Sequence, residues 1–201
     1  MSKTTVASTG IDLSDTFAFT GTVTGTPQGL TLINSTSSTS TVASFNIDNV
    51  FSSTYKFYRV YMRVEYSQNN GYFTRLLKSD GSARTSDYRY IDDGRYVNDT
   101  AYAEAGSSVS SWFNGRHSGG NVAGGGNRGG HFVMDFYDPF SSSMTHIFSQ
   151  QFGYHDSTGQ YVGAQFIGAQ INAESHRGFT VVGNSTNIIQ HDVKVYGVAN
   201  A

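Results

Sequence analysis

Apolar and polar residues alternate with a period of two along much of this chain. The cleanest run is residues 55–66, YKFYRVYMRVEY. From Tyr58 the even positions carry Tyr58, Val60, Met62 and Val64, and the odd positions carry Arg59, Tyr61, Arg63 and Glu65. Successive strand side chains point to opposite faces, so this run predicts a long strand with one apolar face and one charged, aromatic face. Other alternations predict strands over 17–23, 30–33, 42–47 and 72–78. The segments 88–91 and 96–102 are short, and 109–113 carries the single tryptophan, Trp112, as a core or subunit-interface residue. Three stronger strands follow. Residues 131–137 place Phe132, Met134 and Phe136 on one face, and 144–152 place His146, Phe148 and Phe152 together. In 161–171 the small residues Gly163, Ala164 and Gly168 permit close backbone approach or a bulge. Strands at 179–182 and 188–198 close the chain.

Turn chemistry separates these runs. Asn70-Gly71 suits a tight hairpin, because both residues tolerate positive φ. Gly25-Thr26-Pro27 and Lys78-Ser79-Asp80-Gly81 are turn signals, and Asp92-Asp93-Gly94 reads as another. The Ser/Thr run 35–41 reads as a solvated loop, and the glycine-rich stretch 115–130 as loop throughout. Residues 101–105, AYAEA, offer at most one uncapped helical turn. Many short strands at this spacing predict an all-β fold: an antiparallel two-sheet sandwich, jelly-roll-like. Residues 1–16 form an extended N-terminal arm, and 17–201 a single sandwich domain.

Composition narrows the function classes. Charged residues make up only 14% of the 201 residues, below the roughly 25% of ordinary globular domains, while aromatics reach 14%. A polar but weakly charged surface is cheap to desolvate and suits packing against neighbours. The net charge of −2 supplies no basic excess for nucleic acid. The absence of cysteine excludes disulfides, Cys-ligated zinc and Cys nucleophiles. No run approaches a membrane helix, and the first residues lack the apolar core of a secretion signal, so synthesis in a cytosol is expected. Lysine occurs only at Lys3, Lys56, Lys78 and Lys194, so sheet edges are not protected by charge and a neighbouring subunit could cover them.

Catalytic and cofactor motifs fail on context. Residues 124–129, GGGNRG, fit GxGxxG by letter but precede a strand instead of opening a helix. The six histidines show no HxH or HExxH spacing. Glutamate occurs only at Glu65, Glu104 and Glu174, and there is no GxSxG elbow. Glu65 reads as an ion-pair partner across the sheet. The expectation is a non-enzymatic protein with no cofactor, no metal site and no catalytic residue. Tyr61, Tyr88, Tyr90, Tyr96 and Tyr102 form a sugar- or protein-binding surface or simply fill strands. The candidate interface residues are Arg59, Tyr61 and Arg63 on the long strand, Trp112, and Arg128 in the glycine loop, since Arg and aromatic residues are enriched at interfaces.

Several landmarks together carry a resemblance. They are GIDLSDTFAFTGTVTG at 10–25, Phe45-Asn46-Ile47 with Phe51 and Tyr55, Arg75-Leu76-Leu77 with Ser79-Asp80-Gly81, Ser86-Asp87-Tyr88, Phe136-Tyr137-Asp138-Pro139, and Val193-Lys194-Val195-Tyr196-Gly197. In this order the chain resembles the β-sandwich virion proteins of tailed bacteriophages, particularly those of aquatic bacteria. The likeness spans roughly residues 10–198, and the glycine loop departs from it. It implies a capsid decoration or short fibre-like protein on the particle exterior. The arm would anchor to other virion proteins of the capsid or tail, and a homotrimer would be the assembly. A receptor-binding tail tip that holds a host surface glycan is the alternative. Neither nucleic acid nor membrane is an implied partner.

Overall fold

The computed structural model describes residues 29–67, 72–98, 100–112, 130–155 and 160–198. The N-terminal arm, the strand over 17–23 and the glycine loop with Arg128 lie outside the described residues. Eleven strands are present: β1 (Leu30–Ser38), β2 (Ser44–Ile47), β3 (Phe57–Tyr66), β4 (Tyr72–Lys78), β5 (Tyr88–Tyr96), β6 (Ala101–Val109), β7 (Gly130–Tyr137), β8 (Thr145–His155), β9 (Gln160–Gln170), β10 (His176–Gly183) and β11 (Ile188–Val198). They form two antiparallel sheets, as the alternation predicts. The larger runs β1-β11-β3-β7-β8-β9-β5-β6 and the smaller β2-β10-β4.

The long strand behaves as its pattern requires. Tyr58, Val60, Met62, Val64 and Tyr66 are buried, and β11 and β7 flank them in register. In β7 the inward positions are Phe132, Met134 and Phe136. The smaller sheet supplies the opposing layer, with Ile47, Phe179 and Leu76 in one transverse row. Phe136 stacks on Phe179 at 5.4 Å and meets Phe51 at 5.3 Å, so the aromatic core couples one sheet to the other. Offset and edge contacts of this kind add to the burial of the rings.

Four local expectations are corrected. Residues 66–72 do not join a hairpin, because β3 and β4 lie in different sheets. Tyr66 ends β3 in the larger sheet and Tyr72 opens β4 in the smaller one, and the two rings are fully buried and stack at 6.2 Å. The Ser/Thr run continues β1 as far as Ser38, where pairing with β11 overrides its loop composition. AYAEA is part of strand β6, held by the ladder to β5. Asp92-Asp93-Gly94 is not a turn but the middle of β5, paired on both sides. The signal was the alternation Tyr88, Tyr90, Tyr96, whose phase carries Asp92 to the inner face.

Trp112 belongs to the core and not to a subunit interface. It is fully buried, meets Tyr88 edge-on at 5.0 Å, and donates its indole N–H to the Ala169 carbonyl at 3.3 Å. A Cβ added at Gly168 would stand 2.7 Å from that indole nitrogen. The glycine therefore makes room for a side chain, where the small residues of β9 suggested a close backbone approach or a bulge. Trp112→Ala should destabilise the fold by about 3–5 kcal/mol, the usual cost of emptying a large aromatic site. Urea denaturation checks this. A loss below about 1 kcal/mol would mean that the indole is not a core element.

Candidate functional site

Strand parity and register place every outward side chain of the large sheet. Two transverse rows near one end of the strands read Ser37–Asp192–Arg63–His131–Phe152–Gly163–Arg95 and Ser35–Lys194–Tyr61–Val133–Gln150–Gln165–Asp93. The next row toward the other end reads Leu32–Tyr196–Arg59–Asp135–Phe148–Ile167–Ile91. The last reads Leu30–Val198–Phe57–Tyr137–His146–Ala169–Arg89. His146, Phe148 and Phe152 do share a face, and it is the outward one. The face thus has two characters: polar and aromatic at one end, more apolar at the other.

A groove of about 410 Å³ lies at the polar end. Val133 forms its floor, because it is shorter than Tyr61, Gln150, Phe152 and Lys194 around it. Tyr61 is 41% exposed and meets Tyr196 edge-on, and Phe152 is 52% exposed and stacks nearly parallel on Tyr161 at 5.5 Å. Arg63 donates to Glu65 along the same strand, not across the sheet. Partial desolvation, and then the Arg63 charge, hold the His131 imidazole below its ordinary range. On the far side of Gln150 a second concavity is lined by Asp93, Arg95, Gln165 and Gly163.

Of the sequence candidates, Arg59, Tyr61 and Arg63 share this outward face. Arg59 is already engaged, in a two-point pair with Asp135 of β7 at 2.7 Å for both bonds. Tyr88 is buried, and Tyr90, Tyr96 and Tyr102 turn inward, so only Tyr61 of that tyrosine set is a surface group. Phe152, Gln150, His131, Asp192 and Lys194 join the groove without any motif in the sequence. Only the register of four strands gathers them.

The inner face changes character across the sheet. One inward row runs Val195–Val60–Met134–Ser149–Phe166–Asp92–Glu104, apolar on β11, β3 and β7 but acidic on β5 and β6. Asp92 is fully buried, accepts from Gln151 Nε2 at 3.4 Å, and its Oδ2 has no hydrogen-bond partner among the described residues. Burial, with added repulsion from Glu104 and Asp93, pushes its carboxyl up to about 7. Elsewhere, Thr145, His176 and Glu174 line up by contact as a hydroxyl, an imidazole and a carboxylate, at 3.2 and 3.4 Å. Both Thr145 and His176 are fully buried, and Arg84 also takes Glu174, so the hydroxyl has no approach for a substrate. No group of three or more His, Asp or Glu side chains that could hold a metal occurs among the described residues.

Neither a protein-family model, a curated protein nor a solved structure matches this chain.

The buried carboxyl makes stability depend on pH. Its folded value of about 7 exceeds the roughly 3.9 of an unfolded Asp, so the folded chain binds that proton more tightly. Stability from this group is fully present below about pH 4 and is lost as pH rises to about 7. Asp92→Asn should abolish that loss, gaining on the order of a few kcal/mol over the parent at about pH 8 but little at about pH 4. Urea denaturation at the two pH values measures it. An equal difference at both would contradict a buried, protonated Asp92.

Proposed function

We propose that this chain is a non-enzymatic structural protein of a tailed-phage virion, exposed on the particle exterior as a capsid decoration or short fibre-like protein. It works there as a homo-oligomer, and the resemblance favours a trimer. The observation that carries this reading is the apolar end of the outward face. Leu32, Ile91 and Ile167 are each more than half exposed, and Leu30, Phe57 and Tyr137 extend the same surface. Exposed apolar area concentrated on one face marks an interaction surface. Its occupant in this reading is a second copy of the chain. The Arg59–Asp135 pair is neutralised within the face, so two copies meet there without strong like-charge repulsion. The order of motifs in the sequence supplies the virion setting.

Mass spectrometry of purified particles tests the setting: many copies per particle are expected, and absence from the particle would sink it. Ile167→Lys tests the surface. Light scattering should show association weakened about tenfold or more, with an unchanged melting temperature at a dilution where both proteins are monomeric. A parent protein that remains monomeric on isolated particle components and at high concentration would contradict the proposal.

A further inference from the structure

The groove at the polar end has chemistry that assembly through the apolar end does not use. Two exposed aromatic rings, Tyr61 and Phe152, stand at its sides. Each is braced by a second ring, Tyr196 and Tyr161 respectively, so little conformational freedom is lost when a ligand packs on it. Polar groups of every hydrogen-bonding type stand around them, on β11, β3 and β8. Asp192 only accepts, Lys194 and Arg63 only donate, and Gln150 does both. Lys194, Asp192 and Gln150 make no side-chain hydrogen bond to one another or to other described residues. The charges balance, since Lys194 is offset by Asp192 and Arg63 by Glu65. A strongly anionic ligand would face Asp192, and a cationic one would face Lys194 and Arg63. A hydroxyl, which both donates and accepts, suits the whole set.

A pyranose matches this description. It has a C–H face that packs on an aromatic ring, whose own face is electron-rich, and a rim of hydroxyls. The groove is of the size usual for small-molecule sites. The adjoining concavity repeats the polar part of the pattern without a ring, with Asp93 and Arg95 opposite in charge and Gln150 and Gln165 as amides. Its floor is bare at Gly163, where an added Cβ would meet nothing nearer than the Gln151 carbonyl at 4.0 Å. A chain of sugars can therefore lie across β8 from one concavity to the next. We propose that these two concavities form a cleft that binds a neutral oligosaccharide of pyranose units, with Tyr61 and Phe152 as stacking platforms. This site stands on its own residues, whether or not the apolar end assembles.

The test titrates the full chain by calorimetry with neutral gluco-, manno- and galacto-hexasaccharides, and with a heparin hexasaccharide as a sulfated control. Saturable binding of at least one neutral probe is expected. Tyr61→Ala and Phe152→Ala should each weaken it about tenfold or more. Val133→Phe, which fills the floor, should abolish it while the far-ultraviolet spectrum stays that of the parent. Ile167→Lys, at the apolar end, should leave it unchanged, which separates this site from the assembly surface. The proposal is overturned if no neutral probe binds, if the heparin hexasaccharide is preferred, or if binding survives both aromatic substitutions.

Discussion

Phe136 of the large sheet stacks on Phe179 of the small one, and this contact joins the two layers at the centre of the core. A three-stranded sheet is a small lid for an eight-stranded one, and buried rings hold it in place together with hydrogen bonds between the layers, such as the Leu76 amide to the Tyr88 hydroxyl at 2.9 Å. Phe136 does this from the middle of the large sheet, touching Phe179, Phe51 and Trp112. Tyr58 adds a second clasp, since its hydroxyl donates to the Ser52 carbonyl at 2.8 Å and accepts from the Ser52 amide at 2.7 Å. With that centre secured, the flanks of the large sheet are free to carry other chemistry.

They use that freedom in opposite ways on the two faces. Inside, the row through Asp92 and Glu104 sets carboxyl groups where β11, β3 and β7 carry apolar side chains, and burial lets Asp92 keep its proton to a higher pH than an exposed carboxyl. Outside, apolar side chains occupy positions that solvent would normally claim. Strand β8 shows the inversion most plainly: Thr145, Ser149 and Gln151 point in, while Phe148 and Phe152 point out. A strand built this way contributes modestly to the core and strongly to a surface.

Much of the architecture was legible in the sequence because a strand's face follows from its parity. Residues 55–66 and 131–137 declared their buried sides, and the glycine at 168 declared a tight site, though side chains and not backbone fill it. Strand pairing was not legible, because it is decided by partners far away in the chain. The Asn70-Gly71 signal was local, but Tyr66 and Tyr72 had to be buried in different layers, and that need overrode the hairpin. The Asp-Asp-Gly triplet misled for a related reason: turn composition lost to two long-range ladders. The groove was the least legible feature. Tyr61 and Arg63 were visible as an unusual strand face, but Phe152, Gln150, His131 and Lys194 come from three other strands and carry no spacing that links them.

In the proposed assembly, the outward face of the large sheet divides into an apolar end that packs and a polar, aromatic end that stays open. Hydroxyl-radical footprinting of the concentrated, assembled protein against the same protein at high dilution tests it directly. Assembly should protect Leu32, Ile91 and Ile167 from oxidation and leave Tyr61 and Phe152 as reactive as before. Equal oxidation of Ile91 and Ile167 in both states, or protection centred on Tyr61 and Phe152, would contradict it.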